Sequence, residues 1–165
     1  MSDSGCKPAR RTVAVDLLYI DIQTCDRCQG AAKHLDQALT AVRPLLDLLG
    51  IDVTVTETLI DSAEKAEAWR LVSSPTVRID GRDIQATLSE SACGACSSLI
   101  PAGAVDCREW PWRGQVHSSP PAGMLAEAIV RAALDDGPAE PDNTVYTLPS
   151  NLRRFFSSGC PTGCC

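Results

Sequence analysis

The chain has 165 residues, of which 44% are hydrophobic and 22% charged, and it carries a net charge of −6. That length suits one domain plus a tail, and the composition is that of a soluble globular protein. The negative balance argues against a nucleic-acid partner, because phosphate binding needs a basic surface. No apolar run approaches the roughly 20 residues that span a bilayer, so no membrane partner is expected.

In chain order, residues 1–11 are polar and lack the apolar stretch of a signal peptide. They read as a disordered leader and point to a cytoplasmic protein, with Cys6 an incidental exposed thiol. Residues 13–20 form a nearly continuous apolar run, Val-Ala-Val-Asp-Leu-Leu-Tyr-Ile, which suits a strand buried on both faces. Cys25 and Cys28 follow after a short turn. Ala32, Leu35, Leu39, Val42, Leu46 and Leu49 then recur at helical spacing, with Pro44 expected to kink or break the helix and Gly50 to stop it. Residues 51–59 alternate Val53 and Val55 with Thr54 and Thr56, a strand signature. Asp61 and Glu64 resemble a capping box for a short helix through Trp69. Val77 and Ile79, then Asp80-Gly81, then Ile84 and Ala86 read as a hairpin, since an Asp-Gly pair supplies its turn.

Residues 89–120 interrupt this β-α-β-α-β-β order with a Cys-rich insertion holding Cys93, Cys96, Cys107, Trp110 and Trp112, and Arg113-Gly114 offers a second hairpin turn. Helical period returns over 122–134, where Leu125, Ala128, Ile129, Ala132 and Ala133 share a face. Residues 135–143 read as a linker, and Ser150 as the cap of a short helix over 151–156. The last segment carries Cys160, Cys164 and Cys165 among small, turn-prone residues.

Nine cysteines cannot all pair within one chain. In a reducing compartment they point to redox or metal chemistry. A Cys-x-x-Cys between a buried strand and a helix places its first sulfur where unpaired N–H groups favour the thiolate. Cys25 is thus the nucleophile and Cys28 the resolving thiol. In the insertion, Cys93-x2-Cys96-x10-Cys107 supplies three thiols that His117 could complete into a Cys3His zinc site. Three readings compete there: a structural zinc, a second redox pair, or one disulfide or free thiols packed beneath Trp110 and Trp112. The vicinal Cys164-Cys165 with Cys160 suits a soft ion or the relay of an oxidised state. Asp26, an acid beside two thiols, could pass a proton to a leaving group.

Cys25-x-x-Cys28 after the first strand, Ser74-Pro75-Thr76 before the third and the Asp80-Gly81 hairpin resemble the thioredoxin superfamily. The resemblance covers residues 13–88 directly, with the closing helix at 122–134 after the insertion. It implies an α/β thioredoxin-like mixed sheet flanked by helices, with the Cys-rich insertion before the last of them. It also implies a cis Pro75 that faces the dithiol and orients the substrate backbone. Asp26-Arg27 stands where thioredoxin itself has Gly-Pro. More closely, the chain resembles a bacterial thioredoxin-like family described only as a domain of unknown function. The residues are Cys25-x-x-Cys28-Gln29-Gly30, Val72-Ser73-Ser74-Pro75-Thr76, Glu90-Ser91-Ala92-Cys93, Asp106-Cys107-Arg108, and 149–156 before a cysteine-ending tail.

The domain organisation expected is therefore a leader at 1–11, a thioredoxin-like domain at 12–134 with its insertion at 89–120, and a linker, short helix and tail at 135–165. The leading function is a thiol–disulfide oxidoreductase-like protein acting on protein or small-molecule thiols and disulfides through Cys25, Cys28 and Pro75, with no cofactor required. The alternative is a binding or transfer protein for soft metals or metalloids, zinc, Cu(I), mercury or arsenic, using the same thiols as ligands.

Overall fold

The computed structural model describes residues 10–85, 87–99, 105–135 and 144–158. The expectations for Cys6, Ala86, most of the 135–143 linker and the tail thiols Cys160, Cys164 and Cys165 fall outside them. In order the elements are β1 (Arg11–Tyr19), α1 (Asp26–Leu48), β2 (Ile51–Leu59), α2 (Ala63–Ala68), β3 (Thr76–Ile79) and β4 (Arg82–Asp83). Then come β5 (Ser89–Cys93), α3 (Gly94–Ser98), β6 (Val105–Trp112), β7 (Gln115–His117), α4 (Ala122–Leu134) and α5 (Ser150–Ser157).

The first four strands form a mixed sheet in the order β2-β1-β3-β4, with β1 parallel to β2 and antiparallel to β3. The apolar run of β1 is explained by this interior position, since both its edges are paired and both its faces covered. Val13, Val15 and Leu17 point to one side, where they pack with Leu35, Leu39, Val42 and Leu46 of α1 and Leu125 and Ile129 of α4. Leu18 points the other way, into a second core with Ile60, Leu71, Leu152, Phe155 and the cysteines. Period-2 alternation thus assigns one strand to two cores. Each fully buried Leu contributes roughly 1.5–3 kcal/mol relative to exposure.

The insertion builds its own antiparallel sheet, β5-β6-β7, with Arg113 and Gly114 both at positive φ in the expected hairpin turn. Asp80 and Gly81 turn the β3–β4 hairpin in the same way. Strand β6 is buried on both faces. Val105 and Cys107 face the second core, whereas Trp110 sits in the first, so the tryptophans do not cover the thiols. The Arg108 backbone N–H donates to Ser74 O at 2.9 Å, and its guanidinium grips Asp83 of β4 at 2.7 and 2.8 Å. These bonds stitch the insertion to the first sheet.

Several expectations are corrected. Helix α1 runs unbroken through Pro44. Pro44 lies on the exposed face, as does Thr40, whose carbonyl loses its intrahelical donor, so water can satisfy that oxygen. Ser62, not Asp61, caps α2 and accepts from Lys65 N–H at 3.2 Å. Pro149 is the cap of α5, and Ser150 already lies in the helix. Arg10 and Arg11, read above as part of a leader, are placed: Arg10 pairs with Asp52 at 3.1 Å, and β1 begins at Arg11. Strand β4 stops at Asp83, before Ile84. No helix among the described residues is long and apolar enough to cross a membrane.

Candidate functional site

Cys25 is the N-cap of α1, with extended backbone (φ −87, ψ 106), and Cys28 lies in the first helical turn. The local arrangement expected of the Cys-x-x-Cys is therefore present. The second such motif repeats it. Cys93 ends β5 and is the N-cap of α3 (φ −104, ψ 111), with Cys96 inside that helix. Ser97 Oγ ties the motif together, donating to Cys93 O at 2.6 Å and accepting from Val105 N–H at 2.8 Å.

The tertiary structure brings the two motifs face to face. The sulfurs of Cys25, Cys93, Cys96 and Cys107 all lie within 4.8 Å of one another. The Cys96 and Cys107 sulfurs are 3.5 Å apart. Four thiolates held tetrahedrally about 2.3 Å from a zinc ion stand about 3.8 Å from one another, so the cluster needs only small side-chain adjustment to close on such an ion. All four cysteines are buried, Cys25 at 0% exposure and Cys93 at 5%. Cys28 is equally buried but stands outside the set, with its sulfur 3.5 Å from Ser74 Oγ.

His117 is not the fourth ligand. It lies in β7 against the Trp112 ring, with centroids 6.5 Å apart, and Cys25 takes the fourth place. Linear spacing within the insertion hid this, because the fourth sulfur comes from a helix N-cap 68 residues before Cys93.

The thiols are electrostatically unequal. Thiol donors at Cys107, Cys28 and Cys96 pull the Cys25 thiol far below its ordinary value, against the cost of burial. Cys28 is pushed up, first by its interaction with the Cys25 sulfur and then by burial. Cys107 is pushed up by Cys25, by Cys96 and by burial. Cys96 also rises, because Cys25 and burial together outweigh the opposing bond from Cys107. Burial disfavours charge on several of these thiols at once, and the hydrogen bonds they share favour ionisation at Cys25 over the others.

Two residues position these sulfurs. Arg27, between the paired cysteines, donates to Cys107 O at 3.0 Å, to Ser91 Oγ at 2.8 Å and to Ala92 O at 3.2 Å. It clamps β5 and β6 over the start of α1 and brings a positive charge beside the thiols. Asn151 of α5 pairs with the Asp106 main chain as a strand would. Its Oδ1 accepts from Asp106 N–H at 3.1 Å and its Nδ2 donates to Asp106 O at 2.6 Å. Sequence reasoning passed over both; Arg27 inside the Cys-x-x-Cys was the one available signal. Gly30 is also dictated here, because a Cβ would lie 2.6 Å from Ser119 Oγ, where the segment before α4 crosses α1.

The Ser74–Pro75 bond is cis, as the resemblance implied. Pro75 is buried, and the carbonyl before it is occupied by Arg108 N–H of β6. A cavity of about 310 Å³ lined by Asp26, Arg27, Cys93, Gly94, Ala95 and Ser118 lies beside the cluster, and Asp26 is exposed. A larger cavity of about 610 Å³, between Ile79, Asp80, Asp83 and Arg131, holds no cysteine.

The sequence model of a family described as Domain of unknown function (DUF2703) matches residues 13–129, which span both Cys-x-x-Cys motifs and Cys107. No curated protein and no solved structure matches the chain.

Proposed function

The chain belongs to the DUF2703 family, and from the geometry of its site we propose that it binds a soft metal ion as a tetrathiolate of Cys25, Cys93, Cys96 and Cys107. One observation carries this reading: four buried sulfurs from two distant chain segments converge within 4.8 Å. A sulfur-only tetrahedral set selects soft or borderline ions such as Zn(II) and Cd(II) over hard cations. With four protein ligands the centre is closed, which suits retention of the ion rather than catalysis at an open position. Bound metal would also fasten the insertion to α1.

A second reading, dithiol exchange at Cys25 and Cys28, is favoured by the unequal thiols, one charged and one neutral. The β-α-β-α-β-β order around the dithiol supports kinship with the thioredoxin superfamily. Because β6 occupies the carbonyl before Pro75 and Pro75 is buried, the fitting partner is a small thiol or disulfide rather than a protein strand. The tail thiols Cys160, Cys164 and Cys165 suit exchange of the same ion.

The test is titration of the reduced chain with Zn(II) or Cd(II) against a chromophoric chelator. One ion per chain is expected, and Cys107→Ser should weaken it roughly 100-fold, about 2.7 kcal/mol. Unchanged binding in Cys107→Ser, with loss on removing the tail cysteines, would place the ion on the tail and sink the proposal.

A further inference from the structure

Among the described residues, the five buried cysteines divide unevenly between two chemistries that share one sulfur. Cys25 belongs to the four-thiol set and also stands three residues before Cys28, at the start of the same helix. Residues at that spacing are neighbours on a helix face. Cys28 has no place in the four-thiol set, and its sulfur lies 3.5 Å from Ser74 Oγ. A sulfur tied up in a disulfide is no longer a thiolate ligand.

We infer that Cys28 is a redox gate for the metal site: a Cys25–Cys28 disulfide removes one of the four ligands, so metal occupancy and oxidation of this dithiol exclude each other. The inference rests on the tetrathiolate reading. The oxidant is a low-molecular-weight disulfide. The Cys25 thiolate attacks one of its sulfurs and a small thiolate leaves. Cys28 then gives up its proton and attacks the Cys25 sulfur, and the second small thiolate leaves. Two protein thiols become one disulfide, and one small disulfide becomes two small thiols.

The linkage is reciprocal and independent of the route by which the oxidant arrives. An ion that binds only the reduced chain, present at 100 times its dissociation constant, reduces the disulfide population roughly 100-fold relative to the reduced forms. Conversely, the oxidised chain keeps only Cys93, Cys96 and Cys107 and loses its high affinity. Cys28 thus has a function distinct from ligation, which explains a fifth thiol buried beside a complete ligand set.

The experiment equilibrates the full chain, metal-free or loaded with one Zn(II), in buffers of 2-hydroxyethyl disulfide and its thiol. Zinc content is measured, and disulfides are mapped by mass spectrometry after trapping. The expected result is a Cys25–Cys28 disulfide in the metal-free chain, suppressed roughly 100-fold by saturating zinc, and oxidised chain with less than about one-tenth of an equivalent of bound ion. Cys28→Ala should bind zinc within about threefold of wild type and retain it in buffers that empty the wild type. The gate is overturned if the wild-type disulfide maps to Cys96–Cys107, if zinc leaves that equilibrium unmoved, or if Cys28→Ala empties as readily. The mapping on wild type stands even if the variant fails to fold. Failure of the reduced chain to bind zinc at all overturns the tetrathiolate instead, and is read in the same titration before any oxidant is added.

Discussion

The two Cys-x-x-Cys motifs are built alike and used differently. Each begins on an extended N-cap cysteine and carries its second cysteine in the first turn of a helix. In the insertion both sulfurs, of Cys93 and Cys96, enter the four-thiol cluster, whereas in the first motif only Cys25 does. The difference lies in what covers each second cysteine. Cys96 meets Cys107 on β6, while Cys28 is buried beside Ser74, on the segment leading into β3. Local spacing sets where a thiol sits on its helix, and packing decides which other sulfurs it meets.

Breaking the motifs one at a time tests this contrast most strongly. Cys96→Ser should cost roughly 100-fold in Zn(II) affinity, about 2.7 kcal/mol, whereas Cys28→Ala should stay within about threefold. Equal losses in the chelator titration would mean that the two second cysteines have equivalent roles.

Arg27 sharpens the comparison, because it bridges the motifs. It sits inside the first and bonds to Ser91 and Ala92, just ahead of Cys93 in the second. Arg27→Ala should weaken the ion roughly 10-fold or somewhat more, the effect of losing a group that orients ligands. Arg27→Lys should recover little, since one ammonium cannot span the bonds of the guanidinium fork. Full recovery by Lys would reduce Arg27 to a source of charge.

The smallest effect expected is at α5. Asn151→Ala leaves the Asp106 main-chain groups without partners and should destabilise the chain by about 1–2 kcal/mol, read as a lower denaturation midpoint. Zinc affinity should fall only a few-fold, because β6 remains fixed by Arg108 and Ser74. A loss as large as that of Cys96→Ser would make α5 part of the site rather than its support.

Much of the scaffold was legible in advance. The apolar run of β1, the helical spacing of α1 and α4 and the two Xaa-Gly hairpins record demands that a few neighbouring residues impose on one another. Boundaries were less legible: Pro44 continues a helix because the exposed side of α1 tolerates an unpaired carbonyl, a fact set by which face is buried. The cysteine cluster lay between these cases. Its members were identifiable as thiols with a purpose, but His117 looked as good a fourth ligand as any within the insertion.

By itself the sequence determined the mixed α/β framework, the position of Cys25 at the start of a helix and the presence of thiol chemistry, because each depends on periodicity and short-range spacing. Only the tertiary structure decided that Cys25 joins Cys93, Cys96 and Cys107, that Cys28 and His117 stand aside, and that Arg27 and Asn151 hold the assembly. Those outcomes depend on how β6 docks across the start of α1, and docking is set by packing between segments far apart in the chain, which no local pattern records.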